Sequence, residues 1–349
     1  MVMTKTGCSR NASELQAAQE ADLIAQIVSL TRAKLLAGYS GSGPLHRDAH
    51  PKSHGCVRAK FIVSADLPRH LRCGLFERPG TYNAWIRYSN GAPSEAPDSR
   101  PDVRGMAIKV MGVSGTKLLE DELDAQTQDF VVCNHHSFFV KDPADYVSFV
   151  SNFMNGKPLG FIFPALNPLK WRLREVWNLA NGLLKSIPSP TEIRYWSQTP
   201  YLLDTMLWGD TAVKYSVVPR SVPKVPALPK SDNRLREALV AQLATGDVVL
   251  DFMVQTQKSP STMPIEDPRI RWSETESPFV KVATIVIEAQ VFDTPERRNF
   301  DENLSFTPWH ALPVHKPLGG INNARRAVYQ AISRLRHEKN GVVREEPTN

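Results

Sequence analysis

A series of short strand-like runs, set apart by long and turn-rich connections, constrains this chain more than any other feature. The runs are Asn83–Tyr88, Gly105–Met111, Gln128–Val132, Val248–Gln255 and Val280–Val291. A further strand is entered from a loop at the end of residues 45–63. Stretches such as Asn90-Gly-Ala-Pro-Ser-Glu-Ala-Pro-Asp98 separate them, with the residue types that break strands. Strands spaced in this way, without the regular alternation of strand and helix, predict an α+β fold: an antiparallel β-barrel decorated by helices.

Residues 12–37 read as an amphipathic helix, capped by Asn11 or Ser13, with Leu15, Leu23, Ile27 and Leu30 along one stripe. Gly38, Gly41, Gly43 and Pro44 end it. Residues 156–187 mix apolar, aromatic and basic side chains. They read as a helical flap packed on the barrel, or as an interfacial segment touching a membrane surface. The proline-rich residues 217–230 predict an extended wrapping arm. The chain of 349 residues then divides into an N-terminal helical arm (1–44), a main domain (45–340) and a polar tail (341–349).

The formal net charge of +6 is spread along the chain with no Lys/Arg block, which argues against a nucleic-acid partner. A mildly basic surface suits anionic ligands such as fatty acids. Cys8, Cys56, Cys73 and Cys133 form no CxxC pair, which speaks against a zinc module or disulfide framework and fits a reducing, cytoplasmic setting. His135, His136, His310 and His315 match no standard zinc spacing. No apolar signal core and no apolar run long enough to span a bilayer stands out.

In the segment 323–336, Asn-Ala-Arg-Arg-Ala-Val-Tyr-Gln-Ala-Ile-Ser-Arg-Leu-Arg, a helix would bring Arg325, Tyr329 and Arg336 to one face. An arginine one turn before a tyrosine stabilises a phenolate, a hard anionic ligand for ferric iron. Arg336 offers a fork-shaped donor to a carboxylate. Upstream lie His54 in Lys-Ser-His-Gly-Cys-Val, Arg87 in Trp-Ile-Arg-Tyr-Ser-Asn and Arg104 in Asp-Val-Arg-Gly-Met-Ala-Ile-Lys. Asn134 follows in Val-Cys-Asn-His-His-Ser-Phe-Phe-Val-Lys-Asp-Pro, and Ser305-Phe-Thr-Pro-Trp-His precedes the helix.

Taken in order, these motifs over residues 45–340 resemble the core of the haem catalases. The resemblance implies a barrel with haem b held between it and the C-terminal, proximal helix. It implies Tyr329 as axial iron ligand, Arg325 as its support, and Arg87 and Arg336 as partners of the haem propionates. His54 would be the distal histidine, working as base and then acid on a peroxide. Asn134 would be the distal asparagine that orients the peroxide, with His135 the competing candidate. Ser89 falls where the family keeps a serine near the distal histidine, and Tyr146 where an aromatic stacks on the haem. Three departures accompany the likeness. Pro51 stands three residues before His54, where the family has an arginine, so Arg47 or Lys52 would make that propionate contact. Ser53 replaces an apolar residue, its hydroxyl positioned to bond Asn134 or His54. The sequence also stops soon after the proximal helix, without the family's helical extension.

The expected function is a haem-dependent peroxidase of organic or fatty-acid hydroperoxides, with an external reducing co-substrate or an internal rearrangement. A homodimer is a further expectation. The alternatives are a small catalase that dismutates hydrogen peroxide, and a non-catalytic haem-binding protein.

Overall fold

The computed structural model describes residues 6–155, 157–164, 171–174, 176–177, 187–205, 209–226 and 228–348. Nine strands lie among them: β1 (Ser53–Val63), β2 (Gly80–Asn90), β3 (Arg104–Met111), β4 (Thr127–Cys133), β5 (Tyr195–Trp196), β6 (Tyr201–Thr205), β7 (Gly209–Ser221), β8 (Val248–Thr256) and β9 (Val280–Ile287). They form one antiparallel sheet in the order β5-β4-β3-β2-β1-β9-β8-β7-β6. The two-residue β5 also pairs with β7, so eight strands close a barrel and β6 adds a ninth outside the ring. Closure removes the free edges that an open sheet would expose. Inside, Phe130 meets Phe252 at 4.8 Å and Tyr215 at 5.0 Å between ring centroids. These edge-on contacts suit the quadrupoles of the rings.

Among the described residues six helices surround the barrel: α1 (Thr6–Ala37), α2 (Pro143–Met154), α3 (Pro158–Ile162), α4 (Arg234–Thr245), α5 (Pro295–Asn303) and α6 (Gly320–Asn340). Local chemistry starts and stops them. The Asp142 side chain accepts from the amide of Asp145 at 3.0 Å, with Pro143 in the first turn of α2. Thr294 caps α5 in the same way, both following the preference for short polar caps followed by proline. Gly341, at φ 63°, ends α6 in the left-handed conformation. Helix α6 lies on α1 through Ile27, Ala324, Val328 and Ile332. Its entry is stitched to the barrel, since Leu202 N donates to Lys316 O at 2.7 Å and Leu318 N to Pro200 O at 3.0 Å.

Several expectations change. Helix α1 begins at Thr6, ahead of the expected caps. The expected strand 280–291 ends at Ile287, and residues 217–221 of the expected wrapping arm complete β7. Most of the expected flap, residues 156, 165–170, 175 and 178–186, lies outside the described residues. Of its described part, Phe161 is buried against Val140 and Ile321, and Arg172 pairs with Asp145 at 2.8 Å.

Side chains alternate between the two faces of each strand. On β2, Ala84, Ile86 and Tyr88 enter the barrel core, whereas Trp85 lies outside against Phe300 of α5 at 4.6 Å. The β1–β2 register shifts between Ser53 and Gly55, leaving His54 as a bulge. Gly55, at φ 153°, makes room there for Phe292: a Cβ would sit 2.3 Å from the ring. Gly55→Ala should therefore lose about 1–3 kcal/mol of stability. Urea unfolding checks this, and an unchanged midpoint would contradict it.

Candidate active site

Helix α6 carries Arg325, Tyr329 and Arg336. The Arg325 guanidinium donates from Nη2 to the Tyr329 hydroxyl at 3.4 Å and from Nη1 to Thr199 Oγ1 at 3.0 Å and Asn322 Oδ1 at 3.2 Å. Burial works against its charge, but the Tyr329 and Tyr201 oxygens outweigh that and raise its basicity. A phenol oxygen under a fixed cation is a ready ligand for a trivalent metal ion.

Seven residues past Tyr329, Arg336 is buried and donates to Glu302 Oε1 at 2.9 Å. It belongs to a cluster. On the outer face of β2, Arg87 bonds Asp301 Oδ1 through Nε at 2.7 Å. Arg47 donates to Glu302 Oε2 at 3.3 Å and to the carbonyls of Asp301 at 2.8 Å and Leu304 at 2.6 Å. Burial and the mutual repulsion of the guanidiniums lower the pKa of Arg47 and, against the pull of Glu302, that of Arg336. Burial also disfavours the Glu302 carboxylate, yet His46, Arg47 and Arg336 together hold its pKa down at about 2. Three guanidiniums thus share two carboxylates, and the positive excess suits an additional anion.

The two histidines near β1 face different surroundings. His54, in the bulge, is buried and turned toward Asn90, with its Nε2 2.7 Å from Asn90 Oδ1. Asn90 Nδ2 donates to Asp98 at 3.1 Å, Lys52 pairs with Asp98 at 3.0 Å, and Arg104 also donates to Asn90 Oδ1. This network fills one end of the barrel, and Asp98 Oδ2 accepts from the Leu235 amide at the start of α4. Burial keeps the His54 imidazole neutral despite Asp98. His50 lies on the other side of β2. Its Nδ1 is 3.0 Å from Ser89 Oγ, and its ring occupies the space over Gly105, where a Cβ would come within 2.6 Å. Burial, then the charges of Arg87, Arg47 and Arg325, holds its pKa down at about 4, so its imidazole is neutral at pH 7. His50 also takes φ 59°, the left-handed conformation, uncommon for a residue with a side chain.

The structure brings His50, not His54, to Ser89 and into the field of Arg325 and the arginine cluster. The reason is alternation: Ser89 points outward, Asn90 inward, and each histidine follows its own neighbour. Arg47 precedes His50 by three residues.

Other expected residues fall in varied places. Asn134 is buried and its Oδ1 accepts from the Arg104 amide at 2.8 Å, extending the β3–β4 ladder. His135 Nδ1 lies 2.9 Å from Ser137 O. Ser53 does not bond Asn134 or His54: its Oγ lies 3.3 Å from Tyr88 O and accepts from Gly55 N at 3.1 Å. Burial raises the pKa of Tyr146, as do Asp48 and Tyr329, which places that ring near Tyr329. His135 and His136 stack at 4.5 Å between ring centroids. His310 sits between Glu122 and Glu346, whose charges Arg344 and Lys109 balance, while His315 accepts from Leu75 N at 3.2 Å.

No protein-family model and no curated protein matches the sequence. The fold does match solved structures. A fungal catalase aligns with TM-score 0.67 and 18% identity, over 87% of this chain and 62% of that one. A bacterial catalase gives 0.63 and 16%, over 90% and 62%. Catalase A from Saccharomyces cerevisiae gives 0.64 and 16%, over 87% and 65%.

This chain has the catalase fold.

It spans less than two thirds of the length of each of these catalases. At these identities the likeness is one of fold, and the chemistry rests on the residues described above. The Glu302 carboxylate gives one test of the arginine cluster. Its folded pKa of about 2 lies below the ordinary value of 4.5, so its contribution is fully present above pH 4.5 and is lost as pH falls through about 2. Glu302→Gln should be less stable than the parent at neutral pH, and the gap should shrink across that window. A pH-independent gap would show that the charge of Glu302 is not what matters.

Proposed function

We propose that this protein is a haem-dependent hydroperoxidase in which His50, not His54, is the distal acid–base residue. The supporting observation is convergence. Arg47 and His50, Arg87 and Ser89, and Arg325, Tyr329 and Arg336 come from separate stretches of the chain. Hydrogen bonds and close charges link them where the outer face of β2 meets α5 and α6. The donor set fits haem b: a phenol oxygen backed by Arg325 for the iron, and guanidiniums in excess of their carboxylates for the propionates. Haem, when bound, would supply redox-active iron for splitting an O–O bond.

The chain's own groups would do the rest. Neutral His50, oriented by Ser89 through Nδ1, would take the proton from the hydroperoxide and return it to the departing oxygen. Arg47, Arg87 and Arg336 would fix the cofactor's edge, exchanging part of their pairing with Asp301 and Glu302. Asn134, with Oδ1 already held by Arg104, has its amide nitrogen as the donor that could orient the peroxide. Tyr329→Phe should abolish the Tyr-ligated ferric spectrum. His50→Ala should keep that spectrum but lose peroxide turnover by roughly a hundredfold or more, while His54→Ala should retain turnover in whatever fraction folds. If His54→Ala loses turnover at full haem occupancy and His50→Ala does not, the reassignment is wrong.

For substrate we propose an organic hydroperoxide, with a long acyl chain the favoured case. Helix α2 carries Tyr146 near Tyr329 and leads through Phe149 to Phe153, and exposed apolar residues follow along the chain: Phe153, Leu159, Phe163, Trp171, Leu173 and Trp177, with Phe163 and Trp171 5.1 Å apart between ring centroids. Lys157 and Arg174 are exposed beside them. An apolar wall with cations at its rim suits an acyl chain and its carboxylate; Lys170, also expected there, lies outside the described residues. The fold neighbours favour a second reading, a small catalase. Stopped-flow rates with the two oxidants separate them: a fatty-acid hydroperoxide should react faster than hydrogen peroxide, and faster hydrogen peroxide reaction with vigorous oxygen release would mean a catalase.

A further inference from the structure

Between β5 and β6 the chain makes a tight turn, residues 197–200, that touches the site from both sides. Ser197 anchors it in the barrel: its amide donates to Tyr215 O at 2.9 Å, and its Oγ accepts from Tyr215 N at 3.1 Å. Gln198 follows at φ 61° and donates from Nε2 to Ser137 O at 2.7 Å, in the loop that begins at Asn134. Thr199, buried, uses its hydroxyl twice. It donates to Ser197 O at 3.3 Å and accepts from Arg325 Nη1 at 3.0 Å. Pro200 O accepts from the Asn322 side chain at 2.9 Å.

Asn322 is the counterpart on α6. It is fully buried, and its Nδ2 also donates to Leu318 O at 2.9 Å, while its carbonyl accepts from Trp309 Nε1 at 2.7 Å. Its Oδ1 remains for Arg325 Nη1, at 3.2 Å. One nitrogen of Arg325 is thus held by two buried oxygens, one from the barrel and one from the helix. The other nitrogen is left over the Tyr329 hydroxyl.

From this we infer that Thr199 and Asn322 are positioning residues that aim the Arg325 guanidinium at Tyr329. They set how firmly that side chain serves as a ligand. The assignment rests on the proposed haem reading for its functional meaning but not for its geometry. An arginine side chain has several rotamers of similar energy, and the entropy of fixing one must be met by its partners. Without Thr199 Oγ1, Arg325 Nη1 keeps only Asn322, its neighbour one helical turn away, and the barrel holds the guanidinium only through the Tyr201 oxygen and, indirectly, through the bond of Asn322 to Pro200 O. The same turn reaches the Asn134 loop through Gln198, so one short segment braces both the proximal arginine and the distal side.

The test compares Thr199→Val, which keeps the shape and removes the oxygen, with Thr199→Ser, which restores it. Crystals of both variants grown without haem should show the guanidinium withdrawn from the Tyr329 hydroxyl in Thr199→Val and back on it in Thr199→Ser. Arg325 unmoved in Thr199→Val would overturn the inference. With haem, Thr199→Val should bind roughly tenfold more weakly, the scale of one lost hydrogen bond to a charged group. Its Tyr-ligated spectrum should also be lost at higher pH on acidification, with Thr199→Ser close to the parent on both counts. Equal behaviour of the two variants would equally overturn it. If the parent binds no haem, the proposed function falls, and the haem-free crystals still decide the role of Thr199.

Discussion

A β-strand turns successive side chains to opposite faces, and at Tyr88-Ser89-Asn90 that alternation separates two buried polar clusters. Tyr88 is in the barrel core. Ser89, like Arg87 before it, points out toward His50 and the arginines. Asn90 points in, toward His54, Asp98 and Arg104. A shift of one residue in the pairing of β1 with β2 would exchange the clusters. The register is held by the barrel core, where Val57, Ala59, Phe61 and Val63 of β1 must all face inward. The polar site therefore depends on apolar packing several residues away.

Electrostatics then separates the roles of the buried groups. Taking a charge out of water costs several kcal/mol unless it is compensated. Histidine meets that cost by staying neutral, and both His50 and His54 do so. Arginine cannot shed its proton in a protein, so Arg47, Arg87 and Arg336 need anions. Helix α5 supplies two, Asp301 and Glu302, where it crosses the outer face of the barrel. The remaining positive excess is what makes the cluster suited to an anionic ligand and not only to its own carboxylates.

Much of this was legible beforehand. The strands from Asn83 to Val132 and from Val248 onward carry enough of their own pattern to be read singly. The spacing of Arg325, Tyr329 and Arg336 places them on one face because a helix repeats every 3.6 residues. The two-residue β5 and the five-residue β6 carry no periodicity of their own, so the closing of the barrel had no local signature. Thr199 and Asn322 were invisible for a related reason: their common target is Arg325, and only the docking of α6 on the turn before β6 brings the three together.

The histidines show the boundary most clearly. By itself the sequence determined most of the longer strands, the first and last helices, the basic character of the site, the helix face that carries Arg325, Tyr329 and Arg336, and a likeness to catalases carried by ordered motifs. It contained both His50 and His54, the former three residues after Arg47. Which of them meets Ser89 and the arginine cluster was decided by the bulge in β1, the absence of a Cβ at Gly105 and the outward turn of Ser89. Local sequence specifies which residues can form a strand. The face that each side chain meets is settled only when the neighbouring strands, packed by a shared core, fix one register against all others.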